Sequence, residues 1–446
     1  MSKIKVLIVD DSLVFGKFLS ENLPQVNPSI EIVGYARDPY DAEKKIPLLK
    51  PDVLSLDVEM PGMSGIDFLK KLLPRNPIPV VLVSSLNVGV FDALAFGAVD
   101  FVKKPDMTKT NSTKAFVNNL ATKLVIASCA KVRVPNFNRQ VQPKDQEVAD
   151  VVNHKKPLPG GVAPCTRNTG GVIGKTTCNC TGTGARSGGL TGITNGTGAN
   201  RHTVGSSAEV AARRAGAAGG ATGNGGAGRT GIKLPNVKPL TGYKYGTSSN
   251  TNLKLNSTIL AIGASTGGTE ATLEILKDLP ADTPATVITQ HMPKGFTKMY
   301  ADRLNRQCPM EVREAKDGDE LRRGLALVAP GDLQMRVVKK GSKYFISCKY
   351  EDKCSGHRPS VDVLFNSIAE NVSGMKTIGV ILTGMGQDGA NGLLNMRKRG
   401  AYTIGQDKDS CVVYGMPMVA QNIGAVMKQA PIGNICGLIV QHLNAL

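Results

Sequence analysis

Two stretches of the chain alternate short apolar runs with segments of helical periodicity. In the first stretch the apolar runs span residues 5–10, 31–36, 52–57, 79–85 and 100–105. In the second they span residues 258–263, 285–290, 326–330, 377–384 and 401–406. Short apolar runs that alternate with helices are typical of buried strands in a parallel sheet. The pattern therefore predicts two doubly wound, mostly parallel α/β domains, with chemistry at the carboxyl ends of their strands.

The segment between these stretches has no sustained periodicity. Runs such as GGVAPCTRNTGG and AARRAGAAGG are rich in Gly, Thr, Ala and Arg, with too little apolar mass to offset the chain entropy lost on folding. We predict a long flexible linker, and we divide the chain into a first domain at 1–125, a linker at 126–255 and a second domain at 256–446.

Two short motifs within the predicted linker resemble functional sites. The sequence GKTT resembles the end of a phosphate-binding loop, but Thr169 stands where that loop needs its first glycine. The pair Cys178 and Cys180 has no second pair that would complete a metal site. We expect neither motif to be functional.

Composition narrows the classes of function. The 446 residues carry a formal net charge of +18, which would suit nucleic acid, an anionic surface or an acidic partner. Much of that excess falls in the predicted linker, and no helix-turn-helix, zinc-finger or basic-zipper pattern is present, so we expect no nucleic-acid partner. The N-terminus is too polar for a signal peptide, and no apolar run approaches the ~20 residues of a membrane span. With nine scattered cysteines, we expect a cytoplasmic chain with reduced thiols and no membrane insertion.

Five polar side chains lie at the carboxyl ends of strands in the first domain. They are Asp10, Asp11, Asp57, Ser84 and Lys104. Three clustered carboxylates repel one another unless a cation lies among them, and hard oxygen ligands favour Mg²⁺. A lysine and a hydroxyl beside them would suit a phosphoryl group. Solvated caps of the strand ends would explain any one of these residues alone, but explain the five together poorly.

This set, with the segments VDDS and DVEMPGMSG, resembles the receiver domain of two-component response regulators over residues 1 to about 105. The resemblance implies that Asp57 is phosphorylated and that Mg²⁺ is held by Asp10, Asp11 and Asp57. It also implies that Ser84 and Lys104 contact the phosphoryl group, and that Phe101 is the switch aromatic.

The sequence GASTG at 263–267 places Ser265 among glycines between a predicted strand and a predicted helix. It fits G-x-S-x-G, in which the serine is a nucleophile on a sharp turn and a following helix N-terminus offers amides to an oxyanion. A phosphate cradle and a simple tight turn are the alternatives. The pattern alone is only moderately specific.

A serine nucleophile needs a base and a carboxylate that orients it. His291 ends a predicted strand and is favoured over His357, which lies in the more loop-like SGHRPSVD. Asp388, among glycines after a predicted strand, is favoured as the carboxylate without excluding the alternatives. Those alternatives are Asp362, Asp407 and Asp409. The chain order Ser, His, Asp differs from that of the α/β-hydrolases.

The motifs IGASTGGTEA, QHMPKGFT, HRPSVDVLF, LTGMGQDGANG and QDKDSCVVYGMP resemble the catalytic domain of the bacterial chemotaxis protein-glutamate methylesterase over nearly all of 256–446. The resemblance implies a triad of Ser265, His291 and Asp388, a site lined by Met385, and no cofactor for the esterase reaction. Backbone amides near Gly267 and Gly268 would bind the oxyanion. One departure is Gln334, where the family usually has histidine; we interpret it as affecting a surface contact and not the triad.

The resemblance further implies a phosphorylation-activated enzyme. It would hydrolyse glutamate γ-methyl esters on methylated chemoreceptor cytoplasmic domains and deamidate specific receptor glutamines, with a chemotaxis histidine kinase as phosphodonor. The unphosphorylated receiver domain would cover the catalytic face. The alternative hypothesis is a phospho-switched binding protein without catalysis.

Overall fold

The computed structural model describes residues 3–85, 89–108, 110–132, 243–245 and 249–446. Most of the predicted linker, including GKTT, Cys178 and Cys180, lies outside these residues. The described residues within 1–140 and 235–446 belong to one compact unit. None of the helices described is long and apolar enough to span a bilayer.

The first domain is a five-stranded, wholly parallel sheet with helices on both faces. Its strands are β1 Ile4–Val9, β2 Ile30–Ala36, β3 Val53–Asp57, β4 Val80–Ser84 and β5 Asp100–Lys103. Its helices are α1 Leu13–Val26, α2 Pro39–Leu49, α3 Gly65–Leu72, α4 Gly89–Ala95 and α5 Thr110–Ser128. The strand order β2-β1-β3-β4-β5 reverses direction between β1 and β3. A ligand site is expected outside the carboxyl ends of strands at such a reversal.

Polar caps fix where several helices of this domain begin. The side chains of Ser12, Asp38 and Ser64 accept hydrogen bonds from backbone amides in the first turns of α1, α2 and α3. The central strands are buried on both faces, as strands covered by helices on both sides must be. Capped helices on a buried sheet hold the strand ends, and hence their acidic side chains, in place.

The second domain is a seven-stranded parallel sheet, also covered on both faces. Its strands are β6 Thr258–Ala264, β7 Ala285–Gln290, β8 Glu311–Glu314, β9 Leu325–Val328, β12 Lys376–Ile381, β13 Tyr402–Gln406 and β14 Lys428–Ala430, with an antiparallel hairpin β10 Gln334–Lys340 and β11 Lys343–Lys349 beside it. Its helices are α6 Ser249–Asn256, α7 Gly268–Leu276, α8 Phe296–Gln307, α9 Val361–Asn371, α10 Ala390–Lys398, α11 Met416–Asn422 and α12 Ile432–Ala445. The order β14-β13-β12-β6-β7-β9-β8 reverses between β6 and β12.

The predicted fold class, two doubly wound α/β domains, is confirmed. All five predicted strands of each domain are present, with ends shifted by a few residues at most. The strands β8, β10, β11 and β14 were not predicted. Strands β8, with the sequence EVRE, and β14, with the sequence KQA, each contain a single apolar residue, too few for a distinct apolar run.

The domain boundaries stay a prediction, but two segments from the predicted linker pack with the folded domains. Helix α5 continues to Ser128. The side chain of Tyr245 is buried, and its hydroxyl lies 3.0 Å from the Thr283 hydroxyl. The folded part of the second domain therefore includes residues before 256.

Candidate functional site

Ser265 follows directly on β6, at the point where the strand order of the second sheet reverses. Its amide donates a 3.0 Å hydrogen bond to the Thr383 carbonyl, in the segment that follows β12. Gly267 has φ of 77°, and a Cβ added there would lie 2.6 Å from Cβ of Val412. Gly384 lies equally close to Ser265, because a Cβ added to Gly384 would lie 2.6 Å from Cβ of Ser265. Glycine at both positions lets two loops meet around the serine.

The carbonyl of Ser265 is also anchored. It accepts hydrogen bonds from the Gly268 amide at 2.7 Å and from Gln290 Nε2 at 2.8 Å. The Gly268 amide is therefore already bonded within the turn, although Gly268 was predicted to serve an oxyanion. Met385, predicted to line the site, lies in the same loop as Gly384 with a side chain 45% exposed.

His291 follows β7, the strand next to β6. Its amide donates to the carbonyl of Ala264, the residue before the serine, at 3.1 Å. Its Nε2 lies 2.7 Å from Oδ2 of Asp388. A carboxylate can only accept, so Nε2 carries the proton. Nδ1 of the same ring is buried without a hydrogen-bond partner, and it is the nitrogen left to act as a base.

Asp388 precedes α10, and its carboxylate lies at the N-terminus of α9. Its Oδ1 accepts from the Ser360 hydroxyl at 2.7 Å and from the Asp362 amide at 3.0 Å. Its Oδ2 accepts from the Val361 amide at 2.8 Å as well as from His291. Burial favours the neutral acid, but these donors outweigh burial and hold the pKa of Asp388 below its usual value. The carboxylate is therefore a fixed anion on a helix N-terminus.

The other residues considered as the orienting carboxylate or as the base make different contacts. The carboxylate of Asp362 accepts from the Gly392 amide at 2.7 Å, while Asp407 accepts from the amide and hydroxyl of Ser410. The Asp409 side chain is largely exposed. His357 stacks on His291, with ring centroids 3.6 Å apart and planes 8° apart. Of the carboxylates considered, Asp388 is the one bonded to His291.

The interpretation of Gln334 as affecting a surface contact is wrong, because its side chain is only 1% exposed. Its Nε2 donates to the carbonyls of Asp352 and His357 at 3.0 and 3.1 Å. Its Oε1 accepts from the Ser360 amide at 2.8 Å. Gln334 thus joins the loop of His357 to the residue that holds Asp388.

The five predicted side chains of the first domain meet at the strand reversal. Carboxylate oxygens of Asp10, Asp11 and Asp57 lie within 4.8 Å of one another. Lys104 Nζ lies 2.6 Å from Asp57 Oδ2 and 3.3 Å from Asp10 Oδ2. The hydroxyl of Ser84 is buried without a hydrogen-bond partner.

Electrostatics at this cluster favour a bound cation. Burial raises the pKa of both Asp10 and Asp57, although Lys104 opposes the change. A single lysine therefore does not offset the cost of burying the acids. Three hard carboxylate ligands at this spacing fit Mg²⁺, and the unpartnered Ser84 hydroxyl fits a phosphoryl oxygen.

The ring of Phe101, on β5, packs against the second domain. The ring centroids of Phe101 and Phe296 lie 4.6 Å apart, and those of Phe91 and Tyr300 lie 5.9 Å apart. Next to Phe101, the Asp100 carboxylate accepts a 2.5 Å hydrogen bond from the hydroxyl of Thr266. The first domain therefore contacts the residue that follows Ser265.

The comparisons with known proteins match both domains. Residues 6–113 match the response regulator receiver domain, and residues 260–439 match CheB methylesterase. A "protein-glutamate methylesterase/protein-glutamine glutaminase 2" of Syntrophomonas wolfei is 39% identical, covering 100% of this chain and 99% of that protein. The chain belongs to this methylesterase/glutaminase family.

A second relative agrees with that assignment. A protein-glutamate methylesterase/protein-glutamine glutaminase of Syntrophotalea carbinolica is 36% identical, covering 99% of this chain and 98% of the relative. The crystal structure of the Thermotoga maritima CheB methylesterase catalytic domain is 37% identical and covers 41% of this chain and 97% of its own, with a TM-score of 0.40.

Family membership confirms the suspected resemblance and the prediction of an enzyme of the serine hydrolase class with a receiver domain. It does not favour the non-catalytic binding protein. The roles of individual residues stay predictions.

Several residues around the site were missed by the sequence. Ser360, Asp100 and Thr266 were not singled out, and Gln334 was named but assigned the wrong contact. Ser360 had a usable signal, because a serine just before an apolar helical segment is a typical N-cap. The others had none, since they act through residues far away in the chain.

Proposed function

We propose that this chain is a phosphorylation-activated methylesterase that hydrolyses glutamate γ-methyl esters on chemoreceptors and releases methanol. By the same route it deamidates receptor glutamines and releases ammonia. The observation that carries the proposal is the His291 ring, bonded through Nε2 to the buried Asp388 anion, with Nδ1 buried without a hydrogen-bond partner and the His291 amide bonded to the carbonyl of Ala264, the residue before Ser265.

In the first half-reaction, Ser265 Oγ attacks the γ-carbonyl carbon of the methylated glutamate. His291 Nδ1 takes the serine proton as the tetrahedral intermediate forms. The intermediate collapses, the bond to the methoxy oxygen breaks, and methanol leaves with the proton from His291. The glutamyl group is then held as an ester on Ser265.

In the second half-reaction, water attacks this ester. His291 takes a proton from the water and returns it to Ser265 as the ester bond breaks and the receptor leaves with a free γ-carboxylate on its glutamate residue. Asp388 keeps the Nε2–H tautomer and stabilises the imidazolium that forms in each half. Four hydrogen bonds hold Asp388 in this orientation.

Backbone amides of the Ser265 turn are the proposed oxyanion donors. Since the Gly268 amide bonds to the Ser265 carbonyl in the structure, we propose the Gly267 amide and the loop of Met385, from the predicted set, as the donors. Loss of one donor of this kind typically lowers the rate ~10²–10³-fold.

The receiver domain is proposed to switch the enzyme. Asp57 would accept the phosphoryl group, with Asp10, Asp11 and Asp57 holding Mg²⁺, which neutralises charge on the phosphoryl oxygens during transfer. Lys104 and Ser84 would bind those oxygens. Phosphorylation adds a charge of about −1.5 to −2 at Asp57, whose carboxylate contacts Lys104, the residue that follows β5, the strand of Phe101.

Contact between the two domains supports inhibition by the unphosphorylated receiver. Asp100 and Phe101 of β5 contact Thr266 and Phe296 of the second domain. A receptor helix cannot reach Ser265 freely while the receiver packs against the next residue. Phosphorylation would free the site by moving β5 and its neighbours.

Chemoreceptor cytoplasmic domains are the proposed substrate, and a chemotaxis histidine kinase is the proposed phosphodonor. Both imply a cytoplasmic place of action. The family assignment and the receiver domain support these partners.

The test is methanol release from a methylated chemoreceptor fragment, with and without a small phosphodonor and Mg²⁺. We expect release that rises with the phosphodonor in the native chain and does not rise in Asp57→Asn. No release from the native chain under either condition would refute the methylated chemoreceptor as substrate. Equal release with and without phosphodonor would refute the switch.

A further inference from the structure

We infer that His357, held by Gln334, is a positioning residue that fixes the ring plane of His291. The inference rests on the proposed function, because it concerns the same base. His357 does not contact the reacting atoms in this account. It acts through the ring on which it stacks.

The stack itself is the first observation. The two imidazoles are nearly parallel, with centroids 3.6 Å apart and planes 8° apart. Asp388 holds the His291 ring by one atom, Nε2. A single hydrogen bond leaves the ring free to swing about that contact, whereas a parallel ring against one face restricts its plane. Nδ1 makes no hydrogen bond that would do so.

The second observation is that Gln334 completes a closed chain of contacts around His291. Its amide nitrogen binds the His357 carbonyl, and its amide oxygen binds the Ser360 amide. Ser360 binds Asp388, and Asp388 binds His291. His291 stacks on His357. The buried side-chain amide of Gln334 therefore sets the distance between His357 and Asp388, the two residues that hold His291.

A neutral ring is required for this role, since a charged one would oppose the imidazolium formed on His291. The charged and titratable groups that face His357 are His291, Asp388, Lys123 and Lys353. Burial, assisted by His291 and the two lysines and opposed by Asp388, lowers the pKa of His357 to about 4. His357 is thus neutral at pH 7.

The experiment compares His357→Ala with His357→Phe in the full-length chain, treated with phosphodonor and Mg²⁺. We expect His357→Ala to lower kcat for methanol release by about 10- to 100-fold with little change in KM, because a misplaced catalytic group costs up to ~10²-fold. His357→Phe keeps a planar ring and should recover most of that loss. His442→Ala is the matched control, because His442 also stacks on a ring, that of Tyr402, at 4.1 Å.

Two results would overturn the inference. One is a kcat for His357→Ala within about twofold of native. The other is a His357→Phe variant as slow as His357→Ala while both unfold at the native temperature, since an imidazole nitrogen would then be required.

A second readout separates this inference from the proposed substrate. Labelling of Ser265 by a fluorophosphonate needs the base but no chemoreceptor. A native chain that labels but releases no methanol would refute the substrate proposal alone, and slower labelling of His357→Ala would still support the positioning role. Gln334→Leu should slow labelling too, and its combination with His357→Ala should be no worse than the poorer single variant. Fully additive losses would separate Gln334 from the stack.

Discussion

The hydroxyl of Thr266 donates to the carboxylate of Asp100, 166 positions away in the sequence, at 2.5 Å. Asp100 also accepts from Lys123 Nζ at 2.5 Å, so this acid joins two elements of the receiver domain to the turn of the proposed nucleophile. Both Thr266 and Asp100 are buried. A hydrogen bond to a buried charged group contributes about 1.5–3 kcal/mol, enough to bias the packing of two domains.

Thr266→Val should raise methanol release in the absence of phosphodonor several-fold, because it removes the donor while keeping the side-chain shape. Thr266→Ser, which keeps the hydroxyl, is the control and should stay close to the native rate. The measurement is the initial rate of each full-length variant. An unchanged rate in Thr266→Val would show that this hydrogen bond does not hold the receiver against the catalytic domain.

Ser265→Ala should abolish both methanol release and fluorophosphonate labelling, because no other atom is proposed as the nucleophile. Asp388→Asn should lower kcat by about 10³–10⁴-fold, since the amide can neither fix the tautomer nor stabilise the imidazolium. The control is Asp302→Asn, the same substitution in an exposed pair with Lys298 on α8. Turnover retained by Ser265→Ala would contradict the mechanism.

Removal of divalent metal should abolish activation by the phosphodonor while the slow rate without phosphodonor persists. The three carboxylates of the receiver site need a cation to accept a further anion. The measurement is methanol release and Asp57 phosphorylation, with chelator and after restoring Mg²⁺. Phosphorylation at an undiminished rate in chelator would exclude Asp10, Asp11 and Asp57 as a required metal site.

Acid should destabilise the catalytic domain through His357. Its pKa is about 6.5 when unfolded and about 4 when folded. Between these values the unfolded chain binds a proton that the folded chain excludes, so the free energy of unfolding falls as pH falls, by at most about 1.4 kcal/mol per pH unit. Urea unfolding at pH 7, 6 and 5 should show a shallower fall in His357→Phe. The contribution of Asp388, whose pKa is lowered, lies below this window.

The sequence predicted the strand ends well, and hence most of the site. Asp57, Ser265 and His291 each follow or end a strong apolar run, and a parallel sheet brings the carboxyl ends of its strands together. The pattern favoured Asp388 but did not exclude Asp362, because only the fold shows which acid reaches His291. In the structure Asp362 contributes its amide to the Asp388 carboxylate.

Other features could not be predicted because they depend on contacts between distant segments. Gln334 is the first residue of a hairpin strand that carries no clear alternation, so its burial was not visible. The stack of His357 on His291 joins a loop to a strand end 66 positions earlier and follows no local rule. The same holds for Thr266 and Asp100, which belong to different domains.

The carboxylate of Asp388 also caps the N-terminus of α9, a helix that packs on β10, α10, β6 and β7. The acid that would orient the catalytic base therefore also stabilises the fold of the catalytic domain. Selection for activity and selection for stability therefore act on the same carboxylate. A substitution at Asp388 would be removed from a population for both reasons. Its replacement should reduce the amount of folded enzyme as well as the rate of each molecule that folds.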